Sequence, residues 1–317
     1  MQRIDHDLPW GNLGTQRTLS VFRFGQGDRK AYIQASLHAD ELPGMRTAWA
    51  LKKRLTQLEE QGLLNGVIEL VPVANPIGLG QLLQGNHQGR FEYGSGKNFN
   101  RDFTELSEPV ARRLAGKLGD DAHANVRLIR QAMADVLDEL PPAGSELAGM
   151  QRVLLSHACN ADIVLDLHCD TDASLHMYAL PQHWPQWRSL SAHLGVSVGL
   201  LAEDSGGSSF DEACSLPWLR LAKQFPDAQI PLACLSTTLE LGGQSNTGKA
   251  EAEAYATQVV ARAIAEHGIE AAQYQVALKQ VEALNALGNG EGKRTIVLPA
   301  NAIEAFGDAF SMLRGAR

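Results

Sequence analysis

Two periods organise the apolar residues of this chain. Short apolar runs bounded by turn residues read as strands: Thr18–Gly25 (TLSVFRFG), Lys30–Leu37 (KAYIQASL), Gly66–Pro76 (GVIELVPVANP), Ala161–His168 (ADIVLDLH), His176–Pro181 (HMYALP) and Ile230–Gly243 (IPLACLSTTLELGG). Helical spacing lies between them. Met45, Ala48, Leu51, Leu55 and Leu58 recur at three and four, the buried stripe of one helix, with Pro43 suited to its first turn and Gly62 to its stop. Further helices are predicted over Ser107–Leu118, Ala122–Leu140 and Glu146–Cys159, and over DEACSLPWLRLAKQF with an interruption near Pro217. Glycine-rich loops span Gly78–Gly96 and Ser205–Phe210. A long Ala/Glu-rich helix is predicted from Thr247 to His267, then more helix to Leu287, a GNGEG turn, a short strand RTIVLP and a helical end.

Strands separated by helices make an α/β fold, with a mixed, mainly parallel central sheet and helices on both faces. The nearly continuous apolar run Ala161–His168 is what a central strand covered on both faces requires. No internal repeat or low-complexity linker divides the chain. One large domain over 1–268 is expected, followed by a short extension, 269–317, to which the pattern assigns no role. In such sheets ligands collect at the carboxyl ends of the strands.

Three strands end in groups foreign to a core. The second delivers His38 and then Glu41, followed at once by Pro43 and Gly44. The Ala161 strand delivers Asp166 and His168, two apart and on one face. The last carries Glu240 just before two glycines. Hydrolytic zinc sites commonly use three protein N/O ligands and keep one position for water, and two histidines plus one glutamate is an established set. His38, Glu41 and His168 fit that description. Each motif alone also describes an ordinary loop, and Glu240 alone fits a buried carboxylate paired with an arginine. The loop KNFNRDF sets Asn100 beside Arg101, whose planar fork suits a carboxylate, and Arg90 lies upstream. The remaining histidines, His176 among them, read as surface or packing residues.

Composition narrows the function. The chain has 317 residues, 44% hydrophobic, with a net charge of −8 and no Lys/Arg cluster, so a nucleic-acid backbone or anionic membrane is not an expected partner. No apolar run approaches the ~20 residues that span a bilayer. The start MQRIDHDLPW lacks the pattern of a signal peptide. Cys159, Cys169, Cys214 and Cys234 are scattered without a C-x-x-C pair and are expected to be reduced, buried thiols of a cytoplasmic protein. No G-x-S-x-G elbow points to a serine hydrolase, and no G-x-G-x-x-G follows a first strand.

Taken in order, HADELPG, NFNRDF, DLHCD and TLELGG resemble the motifs of zinc metallocarboxypeptidases, and above all their succinylglutamate desuccinylase/aspartoacylase branch, over about Lys30 to Gly243. The resemblance implies a zinc carboxypeptidase-like fold and one zinc ion per chain held by His38, Glu41 and His168. It implies that Glu240 is the general base, that Asn100 and Arg101 grip a substrate carboxylate, and that Arg90 polarises the scissile carbonyl. The activity it implies is zinc-dependent hydrolysis of an N-acyl amino acid or similar small carboxylate-bearing amide. A metallocarboxypeptidase acting on short peptides and a non-catalytic carboxylate-binding protein are alternatives built from the same parts.

Two features depart from the family pattern. Asn98 stands where many relatives place an aspartate that orients a metal-binding histidine, and Asp166 or Asp102 are candidates to compensate. After His267 no β-rich lobe is legible, so the site is either more open or closed by Ser205–Pro217. Ser205–Glu212 and the Arg90 region are the segments expected to set specificity.

Overall fold

The protein is described by a computed structural model covering residues 1–11, 13–246, 248, 252 and 255–257. The extension 269–317, the strand RTIVLP, the helix running on to Leu287 and most of the helix expected from Thr247 lie outside the described residues. The main strands are β1 (Gln2–Asp7), β2 (Thr18–Phe24), β3 (Lys30–Ala35), β4 (Val67–Val71), β7 (Ile163–Asp170), β8 (His176–Ala179), β9 (Val198–Leu201) and β10 (Leu235–Gly243). They form one sheet in the order β1-β2-β4-β3-β7-β10-β8-β9. The central strands β4, β3, β7 and β10 are parallel, as are β8 and β9; β1–β2, β2–β4 and β10–β8 are antiparallel. A short helix α2 (Pro76–Leu79) is followed by a hairpin of β5 (Leu82–Leu83) and β6 (Asn86–His87) that stands apart from the sheet.

Helices cover both faces of the sheet. Every residue of β3 from Ala31 to Ala35 is buried, and alternate positions sort to opposite sides. Tyr32 and Val164 join one core with α3 (Ser107–Leu114), α4 (Ala122–Asp138), α5 (Glu146–Ala158) and α7 (Phe210–Gln224). On the other side, α1 (Leu42–Glu60) packs on β2, β3, β4 and β7 through Ala48, Leu51, Leu55 and Leu58. Pro43 does sit in the first turn of α1, and Gly62 follows its end. Among the described residues no helix is long and apolar enough to cross a membrane.

The structure departs from the sequence pattern in three places. β1 was not legible because QRIDHD offers a single apolar residue, Ile4, and lies at the sheet edge. β9 and α6 (Trp184–Leu194) were likewise missed; β9 is four residues long and mostly exposed. Pro217 does not interrupt its helix. α7 runs unbroken through it, because Phe210 to Leu219 are all buried and packing on every side holds the turn that lacks one N–H.

Two contacts set the frame for the strand ends. At the start of α1, a Cβ on Gly44 would lie 2.6 Å from the Leu167 carbonyl oxygen, so only glycine lets the helix approach β7 one residue before His168. Farther along the sheet, the Glu69 carboxylate of β4 is buried and accepts from Arg23 Nη1 at 2.9 Å and His157 Nδ1 at 2.8 Å, with Lys30 Nζ also at 2.8 Å. His157 Nε2 in turn lies 2.9 Å from His6 Nε2, which ties β1 to α5. Burial pushes the Glu69 carboxyl up, but His157 and Lys30 outweigh it and hold it at about 2, against an ordinary 4.5.

Two outcomes are expected. Gly44→Ala should cost about 1–3 kcal/mol through overpacking against β7, read as a lower thermal midpoint. A carboxyl depressed in the fold stabilises above its unfolded pKa, and that contribution is lost as pH falls from about 4.5 to about 2. The contribution is on the order of 3 kcal/mol. Denaturant unfolding of wild type and Glu69→Gln should therefore differ at pH 7 and converge as the pH falls from 5 to 2.

Candidate metal centre

The site is built where β3, β7 and β10 end. After β3 the chain turns at Ser36, whose φ of 62° lies in the left-handed region rarely taken by residues other than glycine. Neighbouring segments hold this turn. Ala39 N–H donates to Gly89 O at 3.0 Å, Ala74 N–H to Ala35 O at 2.9 Å, and Asn75 Nδ2 to Leu37 O at 2.9 Å. A Cβ on Gly89 would fall 2.1 Å from the Asp40 nitrogen, so the Arg90 loop presses directly on the His38–Glu41 turn. Glu41 occupies the N-cap position of α1 without capping it. Its carboxylate is turned to the site instead.

There the three side chains meet. His38 Nδ1 lies 2.8 Å from Glu41 Oε1, and His168 Nδ1 lies 2.8 Å from Glu41 Oε2, which also accepts the Cys169 N–H at 3.0 Å. The three ligand atoms lie within 4.8 Å of one another and all three residues are buried, the one such group among the described residues. Burial pushes the Glu41 carboxyl up, but His168 and His38 outweigh it and hold it well below the carboxylate range. Burial lowers the His168 imidazole, yet the carboxylates of Asp166 and Glu41 hold it well above its ordinary value.

The opposite ring nitrogens decide what this cluster can bind. His38 Nε2 lies 2.8 Å from Asn98 Oδ1, and that oxygen also accepts the Asn100 N–H at 2.8 Å, which fixes the amide with its oxygen toward the histidine. His38 Nε2 is then the donor, which leaves Nδ1 as the ring nitrogen that faces the carboxylate oxygen. On the other ring, His168 Nε2 lies 2.9 Å from Asp166 Oδ2. Each Nδ1 can face the carboxylate as an N–H of a protonated ring or, once that proton is lost, share a cation with it, so the donor set fits a metal ion bound through both Nδ1 atoms and Glu41. Asn98 therefore serves His38 despite being an amide. Asp166 lies beside the other histidine without a formed hydrogen bond to it, and Asp102 lies at the surface 3.3 Å from Lys97.

Glu240 stands one strand away. It is the Cα partner of His168 across the parallel β7–β10 pair, about 4.8 Å off by strand spacing, and the register slips directly after it. Its Oε2 is buried without a hydrogen-bond partner. Burial raises its carboxyl above the ordinary value; Glu41 adds to this, while His168 and His176 oppose it. His176, which the sequence reading set aside as surface or packing, is the partner of Glu240 on β8, with Nδ1 2.9 Å from Ser174 O and its ring edge-on to Tyr178 at 5.4 Å. No spacing signal tied His176 to the site; only the antiparallel register does.

The basic residues approach from the loops. Arg90 Nη1 lies 3.1 Å from Glu41 Oε1 with its side chain 50% exposed. Asn100 Oδ1 accepts the Phe210 N–H at 2.8 Å, so any contact to a ligand falls to its amide nitrogen. Arg101 Nη1 donates to Asn100 O at 2.6 Å. The Ser205–Ser209 loop lies along this arginine: Asp102 N–H donates to Gly207 O at 2.8 Å and Phe103 N–H to Ser208 O at 3.1 Å, and a Cβ on Gly207 would fall 2.7 Å from Arg101 Cδ.

Known proteins resemble this chain in part of its sequence and in its fold. Residues 28–130 match the profile of the succinylglutamate desuccinylase/aspartoacylase catalytic domain, a span that holds His38, Glu41, Arg90, Asn100 and Arg101. No curated protein matches the chain. Among solved structures, a succinylglutamate desuccinylase/aspartoacylase family protein from Shewanella amazonensis is similar at 27% identity and a TM-score of 0.70, over 83% of this chain and 72% of that one. A protein described as a succinylglutamate desuccinylase/aspartoacylase from Shewanella frigidimarina shares the fold at 24% identity and a TM-score of 0.71, over 82% and 70%. The ectoine utilization protein EutE (DoeB) from Ruegeria pomeroyi shares it at 11% identity and a TM-score of 0.56, over 84% and 67%. In sequence over residues 28–130, and in fold over more than four-fifths of its length, the chain is similar to succinylglutamate desuccinylase/aspartoacylase proteins.

Proposed function

We propose that the protein is a zinc-dependent amide hydrolase that cleaves an N-acyl amino acid or a similar small amide bearing a carboxylate. One observation carries this reading: two imidazoles and one carboxylate converge with ligand atoms within 4.8 Å of one another, beside the half-buried Glu240, whose Oε2 is buried and unpartnered. His38, Glu41 and His168 would hold the ion. When bound, zinc lowers the pKa of a coordinated water to about 7 and acts as a Lewis acid toward a carbonyl.

The chain's own residues do the rest. Glu240 takes a proton from water as the new C–O bond forms, and gives it to the nitrogen as the C–N bond breaks; the carboxylic acid and amine so formed then pass to a carboxylate and an ammonium at neutral pH. Its burial suits a base that must both accept and release a proton. Arg90, half-exposed beside Glu41, supplies positive charge toward the carbonyl oxygen of the tetrahedral intermediate. Arg101 and the amide nitrogen of Asn100 orient the substrate carboxylate. The Ser205–Glu212 segment, fastened to Arg101, shapes the pocket. We assign the catalytic domain to 1–268 and treat 269–317 as a separate extension. The four cysteines are buried free thiols, which fits a cytoplasmic setting.

Purified chain should carry about one zinc, and chelation should abolish amide hydrolysis that zinc then restores. Full turnover in metal-free protein would rule the reading out. Glu240→Gln should lower kcat by about 10²–10⁴-fold with zinc content unchanged, checked by metal analysis alongside kinetics on a panel of acetyl- and succinyl-amino acids.

A further inference from the structure

Behind His168, β3 carries two polar side chains into the core. Tyr32 and Gln34 are both 0% exposed. The Tyr32 hydroxyl donates to Gln34 Oε1 at 2.9 Å, and Gln34 Nε2 donates to Asp166 Oδ1 at 2.9 Å. The other oxygen of Asp166 lies 2.9 Å from His168 Nε2. This last contact is close but is not aligned as a hydrogen bond, and neither atom has a hydrogen-bond partner. Strand register builds the row, since Gln34 is the Cα partner of Asp166 and Tyr32 that of Val164 across the β3–β7 pair.

Each link has a direction. The phenol has one proton, and giving it to Gln34 Oε1 decides which end of the amide faces Asp166. The NH2 end then occupies Oδ1, which leaves Oδ2 as the oxygen beside His168 Nε2, 2.9 Å away. With a cation bound at Nδ1, the one remaining ring proton sits on Nε2 and faces that oxygen. A flipped amide would set oxygen against carboxylate. Burying an amide and a hydroxyl in a central strand is unfavourable unless their polar atoms are paired. An aliphatic pair would fill the same space, so packing alone does not account for this one.

We propose that Gln34, oriented by Tyr32, is a positioning residue of the metal centre that sets the tautomer and aim of His168 through Asp166. This rests on the reading that His38, Glu41 and His168 bind zinc. The row lies outside the residues that touch substrate, so its effect falls on the affinity for the ion.

The test uses the full chain stripped of metal, as wild type, Gln34→Leu and Tyr32→Phe. Zinc affinity is measured by competition with a chromophoric chelator, and the thermal midpoint of each metal-free protein is measured alongside. Gln34→Leu should bind zinc about 10-fold or more weakly, in the range of changes to groups that support metal ligands. Tyr32→Phe should show a smaller loss in the same direction with little change in its metal-free midpoint. Lower midpoints with unchanged zinc affinity would mean a packing role only and would overturn the proposal. If Gln34→Leu does not fold, Tyr32→Phe decides alone, and affinity equal to wild type overturns it. Wild type that takes up no zinc removes the metal reading and this inference together, whereas wild type and variants that bind zinc equally remove this inference alone.

Discussion

A single buried carboxylate organises the strand ends. Glu41 stands within 2.8 Å of one imidazole from its own turn and one from β7, accepts a backbone N–H from β7, and meets a guanidinium from the Arg90 loop. Four groups from three segments of the chain therefore share one acceptor. A carboxylate taken from water so completely is stable only when it is surrounded by donors or cations. The surrounding fold keeps it there: the Gly44 contact brings α1 against β7, and the Ser36 turn is clamped by the loops after β4 and before Arg90.

The central strands and α1 were legible in the sequence because their apolar periods are strong. The continuous run before His168 marked a strand buried on both faces, and the stripe from Ala48 to Leu58 marked the helix on one of them. Elements at the margins were not legible. β1 and β9 lie at the sheet edges, where a strand needs little burial and leaves little pattern. Pro217 was misread because local propensity signals a break, whereas the burial that overrides it is a tertiary property.

The candidate site divides in the same way. His38, Glu41, His168 and Glu240 stood out as polar groups where apolar strands end, and strand register explains why they converge. Their partners did not stand out. Asn98 faces His38 only because the Phe91–Asn98 bridge and the Asn100 N–H hold its amide in place. His176 reaches Glu240 only through antiparallel pairing, and Gln34 is one glutamine inside an apolar strand. Such residues are defined by what lies across a strand, which no linear spacing records.

The Ser205–Ser209 loop has a bearing on how this scaffold could be re-engineered. It is joined by main-chain hydrogen bonds to Asp102 and Phe103, and the Phe210 N–H at its far end rests on Asn100. Gly207 admits no side chain against Arg101. The two stretches behave as one cassette, so a graft from another relative that exchanges either without the other would strand donors and acceptors at the seam. Pocket redesign on this chain is a matter of moving both pieces together.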